Sequence, residues 1–156
     1  MKVICGMLLL VWMPMAVAKN ERGYPKEKIA EFVVEKLDVT SMPVAIRLKR
    51  EKGKKTFGDY GYVTRKLDDK EAQVEAPQRH SQITIGVLEV NKSGIYACFN
   101  GEAQKPGGSQ IQRVFLLTVK TGDGLLKGRE SWKEFESCPV IGGSDSDGAT
   151  DAYGGG

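Results

Sequence analysis

One stretch of this chain constrains its fold more than any other: Ser81-Gln-Ile-Thr-Ile-Gly-Val-Leu-Glu-Val-Asn-Lys-Ser-Gly-Ile-Tyr-Ala-Cys98. Ile83 and Ile85 alternate with Gln82 and Thr84, the period of a half-buried strand. Asn91-Lys92-Ser93-Gly94 is turn chemistry. Ile95, Tyr96 and Cys98 then open a second strand. A tyrosine two residues before a core cysteine is placed to turn its hydroxyl back to the backbone of the preceding corner. The stretch therefore predicts two adjacent strands in a β-rich chain.

The segments around it carry the same signal. Val44, Ile46 and Leu48 alternate with Ala45, Arg47 and Lys49. Gly53 marks a hairpin turn within Glu51 to Lys55, and Phe57, Tyr60, Tyr62 and Val63 form an irregular return strand. Ala72 to Ala76 predicts a short edge strand stopped by Pro77, and Ile111 to Val119 a strand apolar on both faces. Ile29 to Val39 reads as one or two strands. Pro25 to Leu37 also has helical spacing, through Ile29, Phe32, Val33 and Lys36, but the following elements all want a sheet partner. Thr121 to Gly128 reads as a breaker-rich exit. Gly142 to Gly156 holds little but Gly, Ser and Asp, a composition that predicts a disordered tail.

The first residues read as a cleaved signal peptide, 1–18. Lys2 is the charged start, Val3 to Val11 is nearly all apolar, and Ala16-Val17-Ala18 is a small-residue cleavage site. The apolar run is short for a bilayer and Pro14 interrupts it. About 138 of the 156 residues then remain, room for one domain over 19–121 and a flexible stalk over 122–156. No later stretch is long and apolar enough to span a membrane, so the chain reads as secreted. The net charge of +3 does not imply nucleic acid. Locally, Arg47, Lys49, Arg50, Lys52, Lys54 and Lys55 crowd one segment against Glu51 alone. Such a run is a solvated hairpin or a site for acidic partners, sulfated glycan or an acidic protein face.

Taken together, the corner, Tyr96 and Cys98 resemble the E–F region of a variable-type immunoglobulin domain, and the match extends over about Lys28 to Lys120. Single-domain co-stimulatory receptors of T cells are the nearest analogy. The resemblance implies an all-β, two-sheet antiparallel sandwich. Tyr96, Cys98, Ile85, Leu88, Leu37, Ile46, Leu48, Val114 and Leu116 would be among its buried residues. Leu37 stands near the family's B-strand cysteine and Ile46 and Leu48 occupy the C strand without its tryptophan. With that partner replaced, Cys98 is expected to be buried and inert. Cys138, ahead of Pro139 and the Gly-rich tail, is expected to be exposed and to link two chains in a disulfide-bonded homodimer, with an internal Cys98–Cys138 bridge as the competing arrangement. The function implied is a non-catalytic binding module for a protein ligand or receptor in cell-surface or immune recognition. A β-sandwich or barrel carrier, or a heparin-like glycan binder, is the alternative.

Little else in the chain carries chemistry. His80 is the lone histidine, in a polar loop away from the inward-facing Cys98, so the pair does not suggest catalysis. No cofactor is expected, and zinc needs more Cys or His than the chain offers. Asp68, Asp69 and Glu71, and Asp145, Asp147 and Asp151, lack a calcium-loop framework. Asn91-Lys92-Ser93 is a glycosylation sequon. Trp132 and Phe135 have the spacing of one helical edge, which serves either packing back on the domain or contact with a partner.

Overall fold

The computed structural model describes residues 23–43, 48–76, 82–102, 110–119 and 122–139. The expected signal peptide, Val44 to Arg47, His80 and the Gly-rich tail lie outside them. Among the described residues the architecture is mostly β: one six-stranded antiparallel sheet with one short α-helix and two 3₁₀ turns. The strands are β1 (Val63–Lys66), β2 (Glu71–Glu75), β3 (Gln82–Asn91), β4 (Gly94–Glu102), β5 (Gln110–Val119) and β6 (Leu126–Glu130). They lie side by side in chain order, each paired with the next. The two face-to-face sheets expected from the immunoglobulin resemblance are not what the described residues form.

Alternation sets the two faces of this sheet. Ala72 and Val74, Ile83 and Ile85, Ile95, Ala97 and Phe99, and Phe115 and Leu117 all point inward and are buried. The helix α1 (Ile29–Lys36) packs on that inner face, where a strand was the expectation. Ile29, Ala30, Val33 and Val34 are buried, and Leu37 continues the same stripe. Glu31 in the first turn and Lys36 in the last suit the helix dipole. Eight residues are too few to be helical alone, so packing on the sheet holds the helix. The sequence pattern was compatible with either state, and the helix buries Ile29, Ala30, Val33 and Val34 together on the sheet's inner face.

The far edge of the sheet is sealed by the chain that leaves α1. Leu37 bridges Leu126 in parallel, the Asp38 N–H donates to the Leu126 carbonyl at 2.9 Å, and the Gly128 N–H donates to Ser41 Oγ at 3.2 Å. Met42 lies so close over Gly128 that a side chain there would collide with its sulfur. The turn between β3 and β4 has a stricter demand. Gly94 has φ +144° and packs against the Leu117 carbonyl, leaving no room for a Cβ.

The outer face carries a second, smaller core. A bulge leaves Leu88 unpaired between the pairs Val87–Ala97 and Glu89–Tyr96. Leu88, Tyr96, Cys98 and Val114 meet the segment Ser131 to Pro139 there. That segment follows β6 and crosses the sheet as a strap. The Ser131 N–H donates to the Val114 carbonyl at 2.9 Å, the Phe135 ring lies 5.7 Å from the Tyr96 ring, and Cys138 is bonded to Cys98. Lys133 pairs with Glu89 and sits 4.7 Å over the Tyr96 ring. Residues 122–139, expected to be a flexible stalk, thus supply a strand and a covalently tied strap.

Candidate binding surface

The structure holds the described part of the basic segment as a fixed loop, not a hairpin of strands. Leu48 is buried at its start and Phe57 at its end. Between them the chain turns at Gly53, with φ +81° and the Lys54 N–H donating to the Glu51 carbonyl at 3.1 Å. The Tyr60 hydroxyl donates to the Lys49 carbonyl at 2.6 Å and accepts from the Glu51 N–H at 3.3 Å. One side chain therefore pins both arms of the turn. The Asp59 carboxylate accepts from the backbone N–H of Thr56 and of Lys55, at 2.8 and 2.9 Å. These two bonds hold its pKa below the ordinary value, the Thr56 bond contributing most. The Val39 N–H donates to the Lys55 carbonyl at 2.9 Å, which ties the loop to the 3₁₀ turn Val39–Ser41.

The cations of this loop fall into two sets. Lys54 bonds Glu51 at 2.8 Å and lies 5.3 Å over the Tyr60 ring. The Glu51 contact raises the Lys54 pKa, and Lys54 in turn lowers that of Glu51. Lys55 bonds Asp123 at 3.0 Å, and this bond is the largest cause of an Asp123 pKa held far below the carboxylate range. Asp123 also accepts from Lys127, which bonds the buried Asp38. Burial pushes the Asp38 pKa up, but the bonds from Lys127 and Thr40 outweigh it and leave it lowered. Lys49, Arg50 and Lys52 are exposed, and no ion pair engages them among the described residues. The charge available to a ligand is therefore on these three, while Lys54 and Lys55 fasten the loop. Arg47 lies outside the described residues. Tyr60 and Asp59 build the loop and were not legible as site residues, although a Tyr nine residues after a Glu in a Gly-bearing turn is a faint signal.

The two cysteines correct an expectation. Cys98 and Cys138 form one internal disulfide, with their Cα atoms 5.9 Å apart. Cys138 is buried, not mobile, because the strap folds back over β4 and β5. Cys98 faces outward from the helix-packed core, so its sulfur meets the strap. Neither thiol is left to join a second chain. Tyr96 is half-buried, with its ring against Phe135 and under Lys133 of the strap. Of the expected helical edge, Phe135 packs back on the sheet, whereas Trp132 stands 87% exposed on a segment that is not helical.

Asn91 ends β3, with its side-chain oxygen accepting from the Ser93 N–H at 2.7 Å and its amide donating to Glu89. Among the described residues no three His, Cys, Asp or Glu groups are placed to hold a metal. None of their helices is long and apolar enough to cross a membrane. Comparison with protein-family models, with curated proteins and with solved structures finds no match to this chain.

Proposed function

We propose that this chain is an extracellular binding module that recognises an acidic protein surface through the loop Lys49 to Lys52. The observation that carries the reading is the division of labour among the cations. Lys54 and Lys55 are spent on Glu51 and Asp123, and Tyr60 pins the backbone, so Lys49, Arg50 and Lys52 are presented on a frame that needs little ordering on binding. Exposed cations on a fixed loop steer an acidic partner and lose little entropy when it docks. The Cys98–Cys138 bridge supports an oxidising compartment, consistent with the leader-like start of the chain. In that compartment Asn91 is the residue that would carry a glycan. The reading does not depend on the immunoglobulin resemblance, whose two-sheet arrangement differs from the single sheet.

The test compares two variants on a heparin column and on an immobilised polyglutamate peptide. Lys49→Ser/Arg50→Ser/Lys52→Ser should leave both columns at markedly lower salt. Lys54→Ser/Lys55→Ser should change elution less per charge removed, because those charges are already compensated. Equal elution of the triple variant and the parent, at equal folding, sinks the proposal. Retention on heparin alone moves the ligand from acidic protein to sulfated glycan.

A further inference from the structure

The two edges of the sheet are not treated alike. The β6 edge is covered by Leu37 to Ser41, as described above. The β1 edge has no such cover among the described residues, and all four residues of β1 are exposed. Its pairing with β2 is fixed by Val63 opposite Glu75 and Arg65 opposite Gln73. At the hairpin end the Leu67 N–H donates to the Glu71 carbonyl, which makes Leu67 and Glu71 a hydrogen-bonding pair. Antiparallel alternation then turns the backbone groups of Val63 and Arg65 toward β2, and those of Thr64 and Lys66 away from it. An edge of this kind is a template for another strand.

We propose that this edge pairs with the same edge of a second copy of the chain, antiparallel about a two-fold axis at Thr64, so that the sheet runs on from one copy into the other. The register selects the partner. With Thr64 opposite Thr64, the outward backbone groups meet each other, and Val63 of each copy lies opposite Arg65 of the other. Moving the axis to Arg65 or to Lys66 sets like charges directly opposite, which is unfavourable. Moving it to Val63 runs the pairing into Gly61, whose φ of +77° takes it out of the strand. Charged residues on an edge usually guard it against pairing. Here Arg65 lies 3.6 Å from Glu75, and Lys66 bonds Asp69 at 2.8 Å, so each of these edge cations has an acidic neighbour in its own chain while keeping its charge exposed. Val63 is 61% exposed and Leu67 49%, and both lie on the same side of the strand as Arg65. The contact is short, so the association is weak and concentration-dependent. An isologous contact of this kind closes at two copies.

The experiment is sedimentation of the parent chain from micromolar to millimolar concentration, with three variants. Val63→Lys sets a cation opposite Arg65 of the second copy at two symmetric places and should weaken the dimer by about tenfold. Val63→Glu should tighten it. Within one chain the signs reverse, because residue 63 pairs with Glu75: Val63→Lys favours the folded monomer and Val63→Glu disfavours it. Denaturation midpoints measured alongside therefore separate association from folding. Thr64→Pro removes an amide that the chain's own sheet does not use and should abolish the dimer. A parent that stays monomeric at millimolar concentration, or a dimer indifferent to both Val63→Lys and Thr64→Pro, overturns the proposal.

Discussion

Removing the disulfide tests the strap most directly. The bridge closes a loop with a sequence separation of 40, containing β5, β6 and the strap. In the chain-entropy account a closed loop of that length restricts the unfolded chain by about 4 kcal/mol at 25 °C. The variant Cys98→Ala/Cys138→Ala should therefore lose about 3–5 kcal/mol. For a domain of this size that corresponds to a fall in Tm of roughly 10–25 °C. Urea unfolding followed by far-ultraviolet circular dichroism measures it. The denaturant slope should rise in the variant, because an unlinked unfolded chain exposes more surface. The parent should run as a monomer on non-reducing electrophoresis with no free thiol at Cys98 or Cys138. A loss below about 1 kcal/mol, or a thiol that labels in the folded parent, would refute the assignment of the bridge and of the strap as a structural element.

Gly94→Ala should be among the most damaging single substitutions, costing more than about 2 kcal/mol, because the Cβ meets the Leu117 carbonyl and φ is positive. Thermal melts of this variant and of Gly86→Ala, where a Cβ meets nothing, provide the comparison. Stability should also depend on pH through Asp38 and Lys127. The folded Asp38 pKa lies below its ordinary 3.8, so its contribution is present above that pH and is lost as pH falls through the folded value. The folded Lys127 pKa lies above its ordinary 10.5, so its contribution is present below that pH and fades as pH rises through the folded value. Asp38→Asn should flatten the acid limb of a stability-against-pH profile and cost about 1.5–3 kcal/mol at neutral pH. An acid limb unchanged by that substitution contradicts the network.

Strands whose apolar residues alternate and whose ends are marked by turn residues are legible from the chain's residues alone. β2, β3, β4 and β5 lie where Ala72 to Ala76, the alternation around Ile83 and Ile85, Ile95 to Cys98 and Ile111 to Val119 predicted strands, although β3 runs on into Asn91, which was expected to be turn. Alternation and turn chemistry are local, so a one-dimensional reading captures them. It also located the loop cations, but not which of them are free, since Asp123 reaches Lys55 from 68 residues away. Tertiary structure decided the rest. Ile29 to Lys36 satisfies both periods, and the sheet's inner face, which takes its buried stripe, made it a helix. β6 was hidden because Lys127, Gly128 and Arg129 dilute its pattern, and its strand state comes from pairing with β5. Cys138 lies far along the chain from Cys98, and sequence distance does not report that β6 turns the strap back across β4. Whether the strands make one sheet or two is likewise a matter of which strand sits beside which. Neighbour pairing is a long-range choice, made by hydrogen bonding and by which faces find something to bury against, and no single strand carries it.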